Sequence, residues 1–123
     1  VQAMREITTH KVNGCNEAFR VTAVDDPGDG GANHVYDIVP TIGNAKGLRI
    51  EFQNGPLKET PPNGLTNEIL LAIVIDRLQG FQSGKFACRE NALALTKLEE
   101  AVHWLNHRTQ QRLARGVEGT HTV

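Results

Sequence analysis

The sequence predicts an α+β fold, with an N-terminal antiparallel β-sheet of about four strands followed by a C-terminal helical hairpin. Three observations lead there. Apolar and polar residues alternate with period two through the first half. A proline-rich connector, 56–63, carries Pro56, Pro61 and Pro62 and marks a change in composition. Two long stretches with helical apolar spacing follow it. A chain of 123 residues makes one domain. We therefore read residues 4–123 as a single domain, with 4–60 forming the sheet part and 64–116 the hairpin. Val1, Gln2 and Ala3 precede the single methionine, Met4, and read as vector-derived, so the native start is expected at Met4.

The elements follow in order. Glu6–Val12 is rich in threonine and β-branched residues, anchored by Ile7 and Val12, and Asn13-Gly14 reads as a turn. Phe19, Val21 and Ala23 alternate with Arg20, Thr22 and Val24 as a half-buried strand. Asp25–Gly31 (DDPGDGG) must be a loop, because it combines proline with three glycines. His34–Val39 alternates again and Pro40 ends it, while Leu48, Ile50 and Phe52 alternate with Arg49, Glu51 and Gln53. In the second half Thr66 is the expected N-cap, with Glu68 in the first turn. Ile69–Ile75 (ILLAIVI) is apolar on every side, which predicts a central helix over 69–78, buried all round. Gly80–Gly84 reads as a flexible turn holding Phe81. A second helix is predicted over 86–114, with Leu95, Leu98, Val102 and Leu105 as its apolar stripe and Gly116 as its stop.

Composition excludes several functions. With 39% apolar and 22% charged residues the chain is ordinary globular protein, not a disordered tail. Thirteen Lys and Arg against fourteen Asp and Glu argue against coating nucleic acid by bulk charge. No apolar run approaches the ~20 residues of a membrane span, and no signal peptide is visible. Cys15 and Cys88 fit neither a metal spacing nor a disulfide framework, so a reduced cytoplasmic protein is expected.

Few residues suggest chemistry. Arg108, Arg112 and Arg115 stand at i, i+4 and i+7, on one helix face, and no carboxylate lies between Glu100 and Glu118. They read either as cations favouring a helix C-terminus or as a guanidinium clamp for phosphate. His103 and His107 have the spacing of a helical zinc pair. The residue after the first is Trp104 rather than glutamate and no third ligand is evident, which favours surface or interface histidines and no metal. The Asp25–Gly31 loop could cradle a phosphate with its amides or be a plain turn. Cys88 and His103, fifteen residues apart on one helix, cannot pair within a chain. Ser83 has no base nearby in sequence, and no carboxylate pair stands out as acid and base. A binding protein without cofactor therefore leads over an enzyme. Phe81 either packs on the hairpin or stacks on a base, and Asn91 offers both donor and acceptor groups.

Several segments together resemble a known family. They are Phe52-Gln53-Asn54-Gly55-Pro56, Gly64-Leu65-Thr66-Asn67-Glu68, Ala87-Cys88-Arg89-Glu90-Asn91-Ala92, and above all Leu98–Leu105 (LEEAVHWL) with Arg108 and Arg112–Thr120 (RLARGVEGT). They resemble phage Thoeris anti-defence sponge proteins of the first described type, and the hairpin is similar to one in phage anti-CBASS cyclic-nucleotide sponges. The resemblance implies a non-catalytic, phage-encoded protein of the host cytoplasm. It implies binding of a cyclic ADP-ribose isomer, glycocyclic ADP-ribose, which a bacterial TIR-domain protein makes on infection. Sequestration of that signal keeps the Thoeris effector off. In some members the resemblance implies hexamers that also bind cyclic di- or trinucleotides of CBASS immunity at separate sites. It places the ligand on Phe81, Asn91, Arg108 and Arg112; Arg115 joins them by helical spacing. The alternative reading is a small oligomeric phage protein that binds nucleic acid through the Arg108/Arg112/Arg115 face.

Overall fold

The computed structural model describes residues 4–56 and 58–116. The vector-derived reading of Val1–Ala3 and the Val117–Thr120 part of the resemblance lie outside the described residues. The chain divides into two compact units, Val1–Asn54 and Gly55–Val123.

The first unit is a four-stranded antiparallel meander of β1 (Arg5–Ile7), β2 (Phe19–Ala23), β3 (Val35–Pro40) and β4 (Leu48–Glu51), in the order β1-β2-β3-β4. The register sorts the side chains as the alternation predicts. Ile7 faces Val21, Val21 faces Ile38, and Ile38 faces Leu48, so the apolar residues share one side. On that side Ala23 is fully buried, and Tyr36 meets Phe52 edge-to-face at 5.7 Å. The opposite side carries a polar rung of Glu6, Thr22, Asp37 and Arg49. Arg49 clasps Asp37 with two bonds, of 2.7 and 3.0 Å. The guanidinium holds the Asp37 carboxyl below the usual carboxylate range.

Two sequence expectations need correction here. The first strand covers Arg5–Ile7, not 6–12, because the Lys11 amide turns back to the Thr8 carbonyl at 3.0 Å. Beyond the strand's end His10 Nε2 donates to the Phe19 carbonyl at 2.9 Å, taking the place of a ladder bond. Asn13-Gly14 is a helix start rather than a plain turn. The Asn13 side chain accepts from the Asn16 amide at 3.2 Å and caps a short helix, α1 (Gly14–Glu17).

The Asp25–Gly31 loop is tied down by its first residue. The Asp25 carboxylate accepts from the His34 and Val35 amides at 2.9 and 3.1 Å. Burial pushes this carboxyl up, but those amides and the Asn33 side chain outweigh it and leave the group below its ordinary value of 3.8. The loop's stabilisation is therefore complete above that value and is lost as pH falls through the depressed one. Asp25→Ala should lower the melting temperature at neutral pH. The gap between variant and wild type should close below pH 3.8 when melting is followed by circular dichroism.

The second unit is the predicted hairpin, made of α2 (Asn67–Gln82) and α3 (Arg89–Arg115). Thr66 caps α2, its hydroxyl accepting from the Ile69 amide at 3.2 Å. Gly116 ends α3 in the left-handed region at φ +74°, which glycine adopts without a Cβ penalty. The half-buried positions on α2 include Glu68, Leu71, Ile75, Leu78 and Gln82. Those on α3 include Asn91, Leu95, Leu98, Val102, Leu105 and Thr109, with Arg112 continuing the row as a buried residue. Steps of three and four alternate along this row on both helices, the spacing of a coiled-coil seam, and Leu70 and Ala101 flank it half-buried.

The expectation that α2 is buried all round is not met, since none of its residues is buried in this chain. Two helices cover only one stripe of each other, which leaves Ile69, Ile73 and Val74 exposed. The turn also lies later than expected, at Ser83–Cys88 rather than Gly80–Gly84. α2 runs through Gly80 and Phe81 to a cap at Ser83, whose hydroxyl donates to the Gly80 carbonyl at 2.8 Å. The second helix begins at Arg89 rather than Phe86, because Cys88 is its N-cap, with Sγ accepting from the Asn91 amide at 3.4 Å.

Candidate functional site

The hairpin separates the expected ligand-binding residues into two groups. Phe81 lies in the last turn of α2 and Asn91 in the first turn of α3. The two turns are joined where the Cys88 amide donates to Gln82 Oε1 at 3.0 Å. Phe81 is therefore held on a helix rather than a loose loop. Its ring is 41% exposed, and the Arg77 guanidinium stands over it at 5.6 Å. It is neither a closed cap of the hairpin nor sequestered from a ligand.

Arg108, Arg112 and Arg115 lie in the last two turns of α3, at the opposite end. Asn91 and Arg108 are seventeen residues apart on one unbroken helix, roughly 25 Å at 1.5 Å per residue. The three arginines are not equivalent. Arg108 and Arg115 are exposed, whereas Arg112 is 7% exposed. Arg112 is therefore not an exposed helix-end cation. Its seam position follows from the seven-residue steps Leu98, Leu105, Arg112, a signal present in the sequence. Arg108 has no ion-pair partner among the described residues, so its guanidinium is available to an anion.

The remaining candidates show what they can and cannot do. In the Asp25–Gly31 loop the Gly28 amide donates to the Ala32 carbonyl and the Gly31 amide to the Gly28 carbonyl, both at 2.9 Å. Those amides turn inward, as a plain turn requires and a phosphate cradle does not. His103 and His107 face each other with ring centroids 6.5 Å apart. Among the described residues no group of three or more His, Cys, Asp or Glu could hold a metal ion. A shallow depression on the polar side of the sheet is lined by Met4, Val24, Asp25, Val35, Asp37 and Arg49. Its one cation is already taken by Asp37. No helix among the described residues is long and apolar enough to cross a membrane.

Comparison with known proteins falls on the same hairpin. The family described as Acb2/Tad1, hairpin domain, matches residues 44–110. That span takes in Phe81, Asn91 and Arg108 and stops short of Arg112 and Arg115. Over 72 residues the chain is 61% identical to the protein named Thoeris anti-defense 1 of Bacillus phage SBSphiJ7, a stretch covering 58% of this chain and 51% of that protein. The chain thus spans about half the length of this curated relative. With the family match extending over more than half of its residues, and over both helices up to Gln110, the chain belongs to the Acb2/Tad1 hairpin family, as its resemblance to the Thoeris anti-defence sponges implied.

Proposed function

We propose that this protein is a phage anti-defence sponge. It binds a cyclic ADP-ribose isomer, glycocyclic ADP-ribose, in the host cytoplasm and withholds it from Thoeris immunity without altering it. The observation that carries this reading is the family match on a hairpin that presents Phe81, Asn91 and Arg108. The relative's name, Thoeris anti-defense 1, supports the same biological setting. The ligand carries a pyrophosphate, which guanidinium pairs with, and an adenine, which an aromatic face accepts. Charge-assisted bonds contribute roughly 1.5–3 kcal/mol each, so Arg108 and Arg112 together supply ~3–6 kcal/mol. Competing with a tight sensor takes nanomolar affinity, about −12 kcal/mol. The remainder comes from stacking on Phe81, hydrogen bonds to Asn91 and enclosure of the purine.

A ligand of this size cannot bridge roughly 25 Å, so the pocket is composite. Phe81 and Asn91 of one chain meet Arg108 and Arg112 of a second, packed antiparallel, which makes a dimer the smallest binding unit. The exposed apolar residues Ile69, Ile73 and Val74 supply surface for that association. Hexamers, and cyclic di- or trinucleotides at a separate site, extend the same reading.

The nucleic-acid reading would use Arg108 and Arg115 as its outward cations, since Arg112 is 7% exposed. A salt titration separates the two. Binding of the cyclic ADP-ribose isomer, measured by calorimetry, should fall gently between 50 and 200 mM salt, because only two phosphates are contacted. A single-stranded oligonucleotide tracked by many cations would lose affinity steeply over about that range. Steep loss for an oligonucleotide, with no binding of the isomer, contradicts the proposal.

A further inference from the structure

Trp104 is the only tryptophan of the chain, and 64% of it is exposed. It lies outside the seam row of Leu98, Val102, Leu105 and Thr109, so the hairpin does not need it. Two histidine rings flank it. The His103 and His107 rings meet the indole at nearly right angles, 76° and 84°, with centroids at 5.3 and 5.6 Å. Contacts of this kind steady a ring without stacking on it. At 100° per residue, Trp104, Arg108, Gln111 and Arg115 fall on one flank of α3, one turn separating the indole from the Arg108 guanidinium.

A single aromatic face with His107 and arginines on its C-terminal side, and with Glu100 one turn before it paired to Lys97, is a poor apolar interface. It is a good complement to a planar base that carries phosphate. The apolar surface suited to a second copy lies elsewhere, on Ile69, Ile73 and Val74 of α2.

The geometry points to Trp104 as a further ligand-binding residue, a stacking platform for the purine whose phosphates Arg108 takes. The inference rests on the composite pocket proposed above. In that pocket the purine lies between Phe81 of one chain and Trp104 of the second copy, and the stack discriminates for ligands with a purine over pyrophosphate-bearing ligands without one.

The test uses the full chain and the cyclic ADP-ribose isomer, with the emission of the sole tryptophan followed alongside calorimetry. Wild-type emission should change on binding. Trp104→Ala should weaken affinity about 10-fold or more, and Trp104→Phe about 3-fold or less, since base–aromatic stacking tolerates a change of ring. Light scattering should give the same assembly size for all three proteins. Unmoved emission together with wild-type affinity in Trp104→Ala removes Trp104 from the site and leaves the sequestration reading intact. A smaller assembly in Trp104→Ala also overturns the inference, because the ring would then be covered by a second copy. A wild type that fails to bind the isomer removes both.

Discussion

Arg112→Ala is expected to weaken binding of the cyclic ADP-ribose isomer by about 2–4 kcal/mol, since it removes charge-assisted bonds to a phosphate. The same change should also destabilise the ligand-free protein. Arg112 is 7% exposed, and a buried arginine stem contributes through its methylenes as well as its charge. The loss should exceed the ~0.5 kcal/mol typical of an exposed position. Arg112→Lys separates the two roles. It keeps a stem and a charge, so the apo melting temperature should stay near wild type. Binding should still fall, because an ammonium cannot form the planar two-bond fork. Calorimetry and thermal melts on both variants check this. Wild-type affinity in Arg112→Ala with a lowered melting temperature would reduce Arg112 to a structural cation.

A second large effect follows from the length of α3. Asn91→Ala and Arg108→Ala should each abolish binding as homodimers, since every pocket then lacks one member. In a mixed dimer one composite pocket collects both defects and the other collects neither. Random co-assembly of equal amounts should recover about a quarter of the wild-type pockets, read as calorimetric stoichiometry. Zero recovery in proven mixed dimers would mean that each chain builds its own pocket, which the unbroken helix Arg89–Arg115 opposes.

The strands that alternate cleanly, β2, β3 and β4, were legible in the sequence because one face of the sheet is apolar and the other polar. The first strand was not, because Thr8, Thr9 and Val12 have strand composition while the backbone turns at Thr8. Composition reports propensity, and a local hydrogen bond overrides it. Asn13-Gly14 was ambiguous for a similar reason, since asparagine serves turns and helix caps alike. In the hairpin Thr66 and Gly116 marked true ends. Gly80 suggested a break that the structure does not make. A glycine costs a helix about 1 kcal/mol relative to alanine, and the Ser83 cap with the Gln82–Cys88 bond offsets this at the turn.

The candidate site divides in the same way. The residue types and their spacing could be read, but exposure could not. An arginine in a heptad row looks like any surface cation until the fold buries it, as it does Arg112. The all-apolar run of α2 signals burial, yet within one chain Ile69, Ile73 and Val74 stay exposed.

Sequestration without chemistry is tested most directly by the fate of the ligand. The protein is incubated with the cyclic ADP-ribose isomer, freed of unbound material, heat-denatured, and the released molecule identified by mass spectrometry. The account expects the intact isomer, in an amount that matches the number of pockets. Release of a linear or dephosphorylated product would contradict it.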